Sequence, residues 1–257
     1  MALPMKRTVL LILLALLLWP HSVGAQRKAD TSMTIENFPV VFGEHWTGAI
    51  AYAEDHRAAW DSVFARYEVD SLMAQAIIFP ELVRYSAFRD RIEKATMRRL
   101  YAHGGSEKGN FSIGVFQMKA TFAERLETLW MQTDYPERYD LHFDLRDDIH
   151  IRKARLERLC SVDWQCVYLA MFMRLVPDLY PQSRKLDAEG RVAFLSTAYN
   201  YSFTVPYDKI MHERTIPRYH TDFVASERTV YHSYADIALA RYRMLVPTPR
   251  HHRRGRS

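Results

Sequence analysis

The sequence predicts a single, mostly α domain interrupted by one irregular glycine-rich loop or short hairpin. Two observations carry that expectation. Apolar residues recur at helical spacing through much of residues 46–246, and no series of alternating strand-like runs occurs. Glycines are sparse but gather at Gly104, Gly105, Gly109 and Gly114, where a helical chain can be broken and turned.

The elements follow in chain order. Lys6 and Arg7 precede the apolar run Thr8–Trp19, Pro20 ends it, and Val23-Gly24-Ala25 supplies small residues. This is the layout of a cleavable secretory signal over residues 1–25. An uncleaved anchor is the rival reading, but a bilayer span needs about 20 apolar residues and this run is shorter. The mature chain is therefore expected to be periplasmic or secreted, with no transmembrane anchor. Residues 26–45 read as a linker and irregular entry segment. Trp60, Val63, Phe64 and Tyr67 share one helical face. Asp70 can cap a helix that carries Leu72, Met73, Ala76 and Ile77 and runs towards Pro80. Asp90 with Glu93 makes a capping-box-like start for a helix through Leu100. Residues 104–116 form the glycine-rich loop or hairpin.

A helix is expected from near Met118 to about Gln132, and a charged one over 145–160. Val162–Leu175 is apolar all round, as a central buried helix would be. Asp187 can cap a helix with Val192, Leu195, Ala198 and Tyr199. A last amphipathic helix holds Tyr231, Tyr234, Ala235, Ala238, Tyr242 and Leu245, and Pro247 and Pro249 end it. Bundle packing around the 162–175 helix, within a domain over 46–246, is the simplest architecture. Residues 247–257 form a basic tail, expected to be disordered.

The net charge of +5 is concentrated at the ends. Lys6 and Arg7 belong to the signal, and the last eight residues, RHHRRGRS, hold four arginines. The body between them is close to neutral, which excludes a broad basic face for nucleic acid. The tail is either a contact for anionic envelope polymers or a solubilising extension. Cys160 and Cys166, in an exported chain, point to one disulfide across a short loop, worth about 2 kcal/mol; two buried free thiols are the alternative. No metal or cofactor is expected. His212-Glu213 lacks the second histidine of the zinc-protease helix motif, and neither a phosphate-binding glycine loop nor a GxSxG elbow occurs.

Three segments carry chemistry. AQAIIFPELVRYSAF (74–88) places Glu81 at the end of an apolar helix, among Ile77, Ile78, Phe79, Leu82 and Val83. Lost hydration in such surroundings raises a carboxyl pKa, which suits a general acid near neutral pH; a surface glutamate past a helix end is the competing reading. GNFSIGVFQMKATFAERL (109–126) sets Gly114, a position for close backbone approach or a tight turn, beside Phe116 and Gln117, whose amide can donate and accept to an acetamido sugar. FLSTAYNYSF (194–203) offers Tyr199 and Asn200 at a helix end.

Together these segments resemble the soluble lytic transglycosylases of the lysozyme-like superfamily. Glu81 matches that family's glutamate closing an apolar helix, Gly114-Val115-Phe116-Gln117 matches its Gly-Leu-Met-Gln, and Ala198-Tyr199-Asn200 matches its Ala-Tyr-Asn. Order and helical context agree over roughly residues 70–203. The SIGVFQM stretch is also similar to the active-site hairpin of animal-type lysozymes. The resemblance departs in three places. Leu82 stands where the family has Ser, with Ser86 the nearest hydroxyl downstream. The interval from Glu81 to Gly114 is longer by about one helix, and Tyr201-Ser202 replaces a glycine after Tyr-Asn.

The resemblance implies a lysozyme-like helical domain that cleaves the MurNAc–GlcNAc β-1,4 bond of peptidoglycan glycan strands. Glu81 would be the single acid/base, and the product a 1,6-anhydro-MurNAc end. Gly114, Phe116, Gln117, Tyr199 and Asn200 would hold the sugar. Envelope proteins are further expected partners. A hydrolytic lysozyme would need a second carboxylate, for which Glu107 is the candidate. An inactive glycan-binding scaffold, favoured by Leu82, is the non-enzymatic alternative. Tyr85, Tyr101 and Tyr201 are the aromatics nearest the motifs that could stack on sugar rings.

Overall fold

The structure, a computed structural model, describes residues 37–88, 94–222 and 225–247. The signal at 1–25, the first part of the entry segment, the Asp90/Glu93 capping box and the Arg-rich tail from 248 onward lie outside the described residues. The described chain is a mostly α-helical domain of about eleven helices with one short antiparallel hairpin.

The first correction is at the entry segment. Residues 38–45 are not irregular: α1 (Phe38–Phe42) turns through Gly43, at φ +49°, into α2 (Glu44–Arg66). Phe38, Phe42 and Trp46 are buried and stacked on one another, and Trp46 meets Phe79 edge-on with ring centroids 4.8 Å apart. This segment is core, held by about 0.5–1.5 kcal/mol per aromatic pair beyond its buried area. Trp60, Phe64 and Tyr67 form the expected buried face of α2.

The second correction is at α3 (Ser71–Phe88). Asp70 caps it as expected, accepting from the Met73 N–H at 3.0 Å, but the helix runs through Pro80 rather than stopping there. Pro80 has no N–H for the carbonyl one turn back. Two tyrosines from the C-terminal third donate to carbonyls around it: Tyr234 to Ile77 O at 3.1 Å and Tyr219 to Pro80 O at 2.6 Å. Burial of the helix on every side makes continuation through the proline tolerable, because α2, α9 and α11 all pack on it.

α4 (Lys94–Lys108) also extends further than expected, with its break at Gly105 (φ +67°) inside the predicted loop. The hairpin pairs β1 (Ser112–Ile113) with β2 (Met118–Lys119), Ser112 opposite Lys119 and Ile113 opposite Met118. It leads directly into α5 (Ala120–Trp130), and a short α6 (Tyr135–Tyr139) follows.

Asp148 and Ser161 cap α7 (Ile149–Cys160) and α8 (Val162–Leu179), which meet at 97°. α8 is buried as predicted, but it shares the centre with α3 rather than organising the bundle alone. Asp187 caps α9 (Ala188–Asn200) through the Gly190 N–H, and α10 (Tyr207–Glu213) follows. α11 (Tyr234–Leu245) is capped by Ser233, so Tyr231 falls before the helix and is exposed.

A buried ionic cluster ties α4, α5, α7 and α8. Glu127, fully buried, accepts from Arg155 (2.6 and 2.8 Å), Arg158 (3.0 Å) and Tyr168 (2.5 Å). Arg155 also donates to the Tyr101 hydroxyl at 2.7 Å, which donates to Glu124 at 2.8 Å. Such a charge is tolerated inside only because every oxygen is paired.

The expected disulfide is not formed. Cys160, the last residue of α7, is exposed, whereas Cys166, inside α8, is buried. They belong to two helices that meet at 97°, one thiol exposed and the other buried. Burial pushes the Cys166 thiol pKa well up, so it stays protonated. Among the described residues, no single helix is long and apolar enough to cross a membrane.

Candidate active site

Four elements converge on a cleft of about 440 Å³: the middle of α3, the hairpin, the start of α5, and the end of α9 with the loop after it. Glu81 and Arg84 line it from α3. Glu81 is not at a helix end; it sits in the second half of a continuous helix, with only 4% of its surface exposed. Two reasons put it there. Its turn of α3 lies among Ile77, Ile78, Leu82 and Val83, all buried, and Pro80 does not end the helix.

Arg84, three residues on and therefore on the same helical face, donates from one nitrogen to both Glu81 oxygens, at 2.9 and 3.1 Å. Arg84 is itself fixed: its guanidinium lies over the Tyr219 ring, 4.6 Å from the centroid, and it donates to His220 O at 3.4 Å. Burial raises the Glu81 pKa above the ordinary carboxylate value, and outweighs the opposing pull of Arg84 and Lys119.

The hairpin turn is clamped from two helices. Gly114 (φ +71°) and Gln117 (φ +50°) both take left-handed backbone. The Phe116 N–H donates to Gln165 Oε1 at 2.7 Å, and Gln165 donates from Nε2 to Leu159 O at 2.7 Å. The Phe116 carbonyl accepts from the Tyr199 hydroxyl, also at 2.7 Å. Gln117 lines the cleft, and its Nε2 donates to Gly114 O at 2.6 Å.

The sequence-predicted residues thus divide. Glu81, Gln117, Tyr199 and Asn200 line one cleft. Phe116 does not: it is fully buried and packs edge-on against Trp60 at 5.2 Å. Gly114 is not among the cleft-lining residues either. A Cβ there would overlap the side-chain amide nitrogen of Gln165, so its smallness serves internal packing. Tyr199 lines the cleft, its ring edge-on to Phe122 and Phe172, while its hydroxyl holds the hairpin.

Glu107 opens into a different pocket, with Glu124, Asp147 and Arg155. Ser86 lies against Gly48 of α2, outside the cleft. Of the three aromatics near the motifs, Tyr101 is buried in the Glu127 cluster and Tyr85 packs near Tyr52. Tyr201 alone reaches the cleft, with Lys209 and Arg218 against its ring.

Sequence reading missed the cations Arg84, Lys119 and Arg125, which also line the cleft. Arg84 was legible as the i+3 partner of Glu81. The other two carry no signal in sequence, since lysine and arginine near a helix start are ordinary surface residues. Among the described residues lining the cleft, Glu81 is the one carboxylate. Among the described residues, no group of three or more His, Cys, Asp or Glu converges as a metal site would require.

No protein-family model, curated protein or solved structure matches the chain.

Proposed function

We propose that this chain is a peptidoglycan lytic transglycosylase with a lysozyme-like helical domain, exported by the signal at residues 1–25, and that Glu81 is its single acid/base. The observation that carries this reading is a solitary, buried carboxylate at the wall of an open cleft, with its pKa raised by burial. A carboxyl group whose pKa is raised keeps its proton to higher pH and can donate it to a leaving oxygen.

In the proposed reaction, protonated Glu81 gives its proton to the glycosidic oxygen as the C1–O bond of MurNAc breaks. The Glu81 carboxylate then takes the proton of the MurNAc 6-hydroxyl as that oxygen bonds to C1. The glutamate returns to its starting state, no water is consumed, and the products are a GlcNAc 4-hydroxyl and a 1,6-anhydro-MurNAc end. Gln117 offers an amide to the acetamido group, and Tyr199 braces the hairpin that presents it. Such a reaction depends on positioning and exclusion of water.

A hydrolytic lysozyme is less well supported, because its usual second carboxylate is not among the cleft-lining residues and Glu107 faces elsewhere. The test is mass spectrometry of peptidoglycan digested by residues 26–257, wild type beside Glu81→Gln. Anhydro-muropeptides should form with the wild type and fall by about a hundredfold or more in the variant. Reducing-end products would convert the reading to a lysozyme. No products at all, with glycan binding retained, would convert it to a scaffold.

A further inference from the structure

The cleft holds more positive charge than its chemistry requires. Arg84 is committed to Glu81. Lys119 and Arg125 are not: both are exposed, both line the cleft, and neither has a carboxylate partner among the described residues. The nearest acid in sequence, Glu124, is turned to the opposite side of α5, where it accepts from Tyr101 and Arg155. The first turn of α5 contains no acidic residue. Lys119 acts through space on Glu81, but that one carboxylate is already paired with Arg84, so the described wall keeps a surplus of two cations. Gln117, Asn200, Tyr199 and Tyr201 line the same cleft as the uncharged groups a neutral glycan would use.

We infer that Lys119 and Arg125 form an anion-reading wall that selects a glycan carrying carboxylates beside the cleaved bond, as the lactyl and stem-peptide groups of peptidoglycan do, over an uncharged aminosugar polymer. This rests on the proposed function for the choice of glycan. Lys119 and Arg125 stand on the hairpin and α5, beside Gln117, while Asn200 and Tyr201 come from the end of α9 and the loop after it. A strand in this cleft would thus meet amides and rings, and its acidic substituents would meet Lys119 and Arg125. Exposed ion pairs of this kind are worth up to about 1 kcal/mol each, so each cation accounts for up to about fivefold in affinity. Their contribution falls as salt screens them.

The experiment separates binding from cleavage. Glu81→Gln protein, alone or with Lys119→Gln and Arg125→Gln, is pelleted with insoluble peptidoglycan, native or with its carboxylates converted to methylamides. Wild-type cleavage of both substrates is followed in parallel. The expected result is that Glu81→Gln binds native material up to about 25-fold more tightly than amidated material at low salt. The added substitutions should remove that preference while circular dichroism stays unchanged. Equal binding of both materials by Glu81→Gln, with wild-type cleavage of both, would overturn the inference and leave the enzyme reading standing. Charge-dependent binding that is lost in the triple variant, without cleavage by the wild type, would keep the anion wall and overturn the enzyme.

Discussion

Gly114→Ala tests most directly what the hairpin turn is for. Sequence alone allows Gly114 to be either a point of close approach to a ligand or a turn; the structure places it against Gln165. An alanine there meets two penalties. Left-handed backbone at φ +71° costs a non-glycine residue about 1–2 kcal/mol. Its Cβ would also overlap Gln165 Nε2 and come within 2.8 Å of Leu159 O, so the glutamine must move.

Moving it breaks the two 2.7 Å bonds to the Phe116 N–H and Leu159 O. Each such bond contributes about 1 kcal/mol net, and more if a buried group is left unpaired. The sum is roughly 3–5 kcal/mol, a large part of the 5–15 kcal/mol typical of a domain. In urea, followed by tryptophan fluorescence, the midpoint should fall by about 1–2 M. In a Gln165→Ala background the same change should cost less, the backbone strain of about 1–2 kcal/mol plus the small shift that relieves the 2.8 Å approach to Leu159 O. An unshifted midpoint with lost glycan binding would refute the packing account and restore Gly114 as a ligand contact.

Four further outcomes are expected. Glu127→Ala should cost about 3–5 kcal/mol, because Arg155 and Arg158 lose their shared buried partner; a midpoint within error of wild type would show that water already reaches the cluster. Arg84→Met removes the nearest charge favouring ionised Glu81, so the Glu81 pKa should rise further and the alkaline limb of kcat should move to higher pH; a shift to lower pH would refute the ion-pair account. The same linkage bears on stability. The folded Glu81 pKa lies above the unfolded value, so its contribution is complete below the unfolded value and is lost as pH rises through the folded one. Glu81→Gln should flatten that pH dependence in denaturant melts. Finally, without any reductant, one thiol (Cys160) should react with a thiol reagent in the native protein and two after unfolding; no reaction in the unfolded chain would show that the disulfide exists after all.

Most helices were legible because their signals are local. A cap such as Asp70 or Asp187 acts on an N–H three residues away, and an apolar stripe such as Trp60, Phe64 and Tyr67 repeats within two turns. The sequence also singled out Glu81, Gln117, Tyr199 and Asn200 before any contact between them was visible. Tertiary structure decided whatever depended on groups far apart in the chain. Pro80 could not be recognised as a mid-helix residue, since Tyr219 and Tyr234, which serve the carbonyls around it, lie about 140–157 residues away. Phe38 and Phe42 read as an entry segment because their partners Tyr219 and His232 reach them only in the fold. Glu81 became a buried acid paired to Arg84, and Gly114 a packing glycine, for the same reason. Local rules set which segments are helical, whereas burial, strain and pKa are set by neighbours that sequence distance does not reveal.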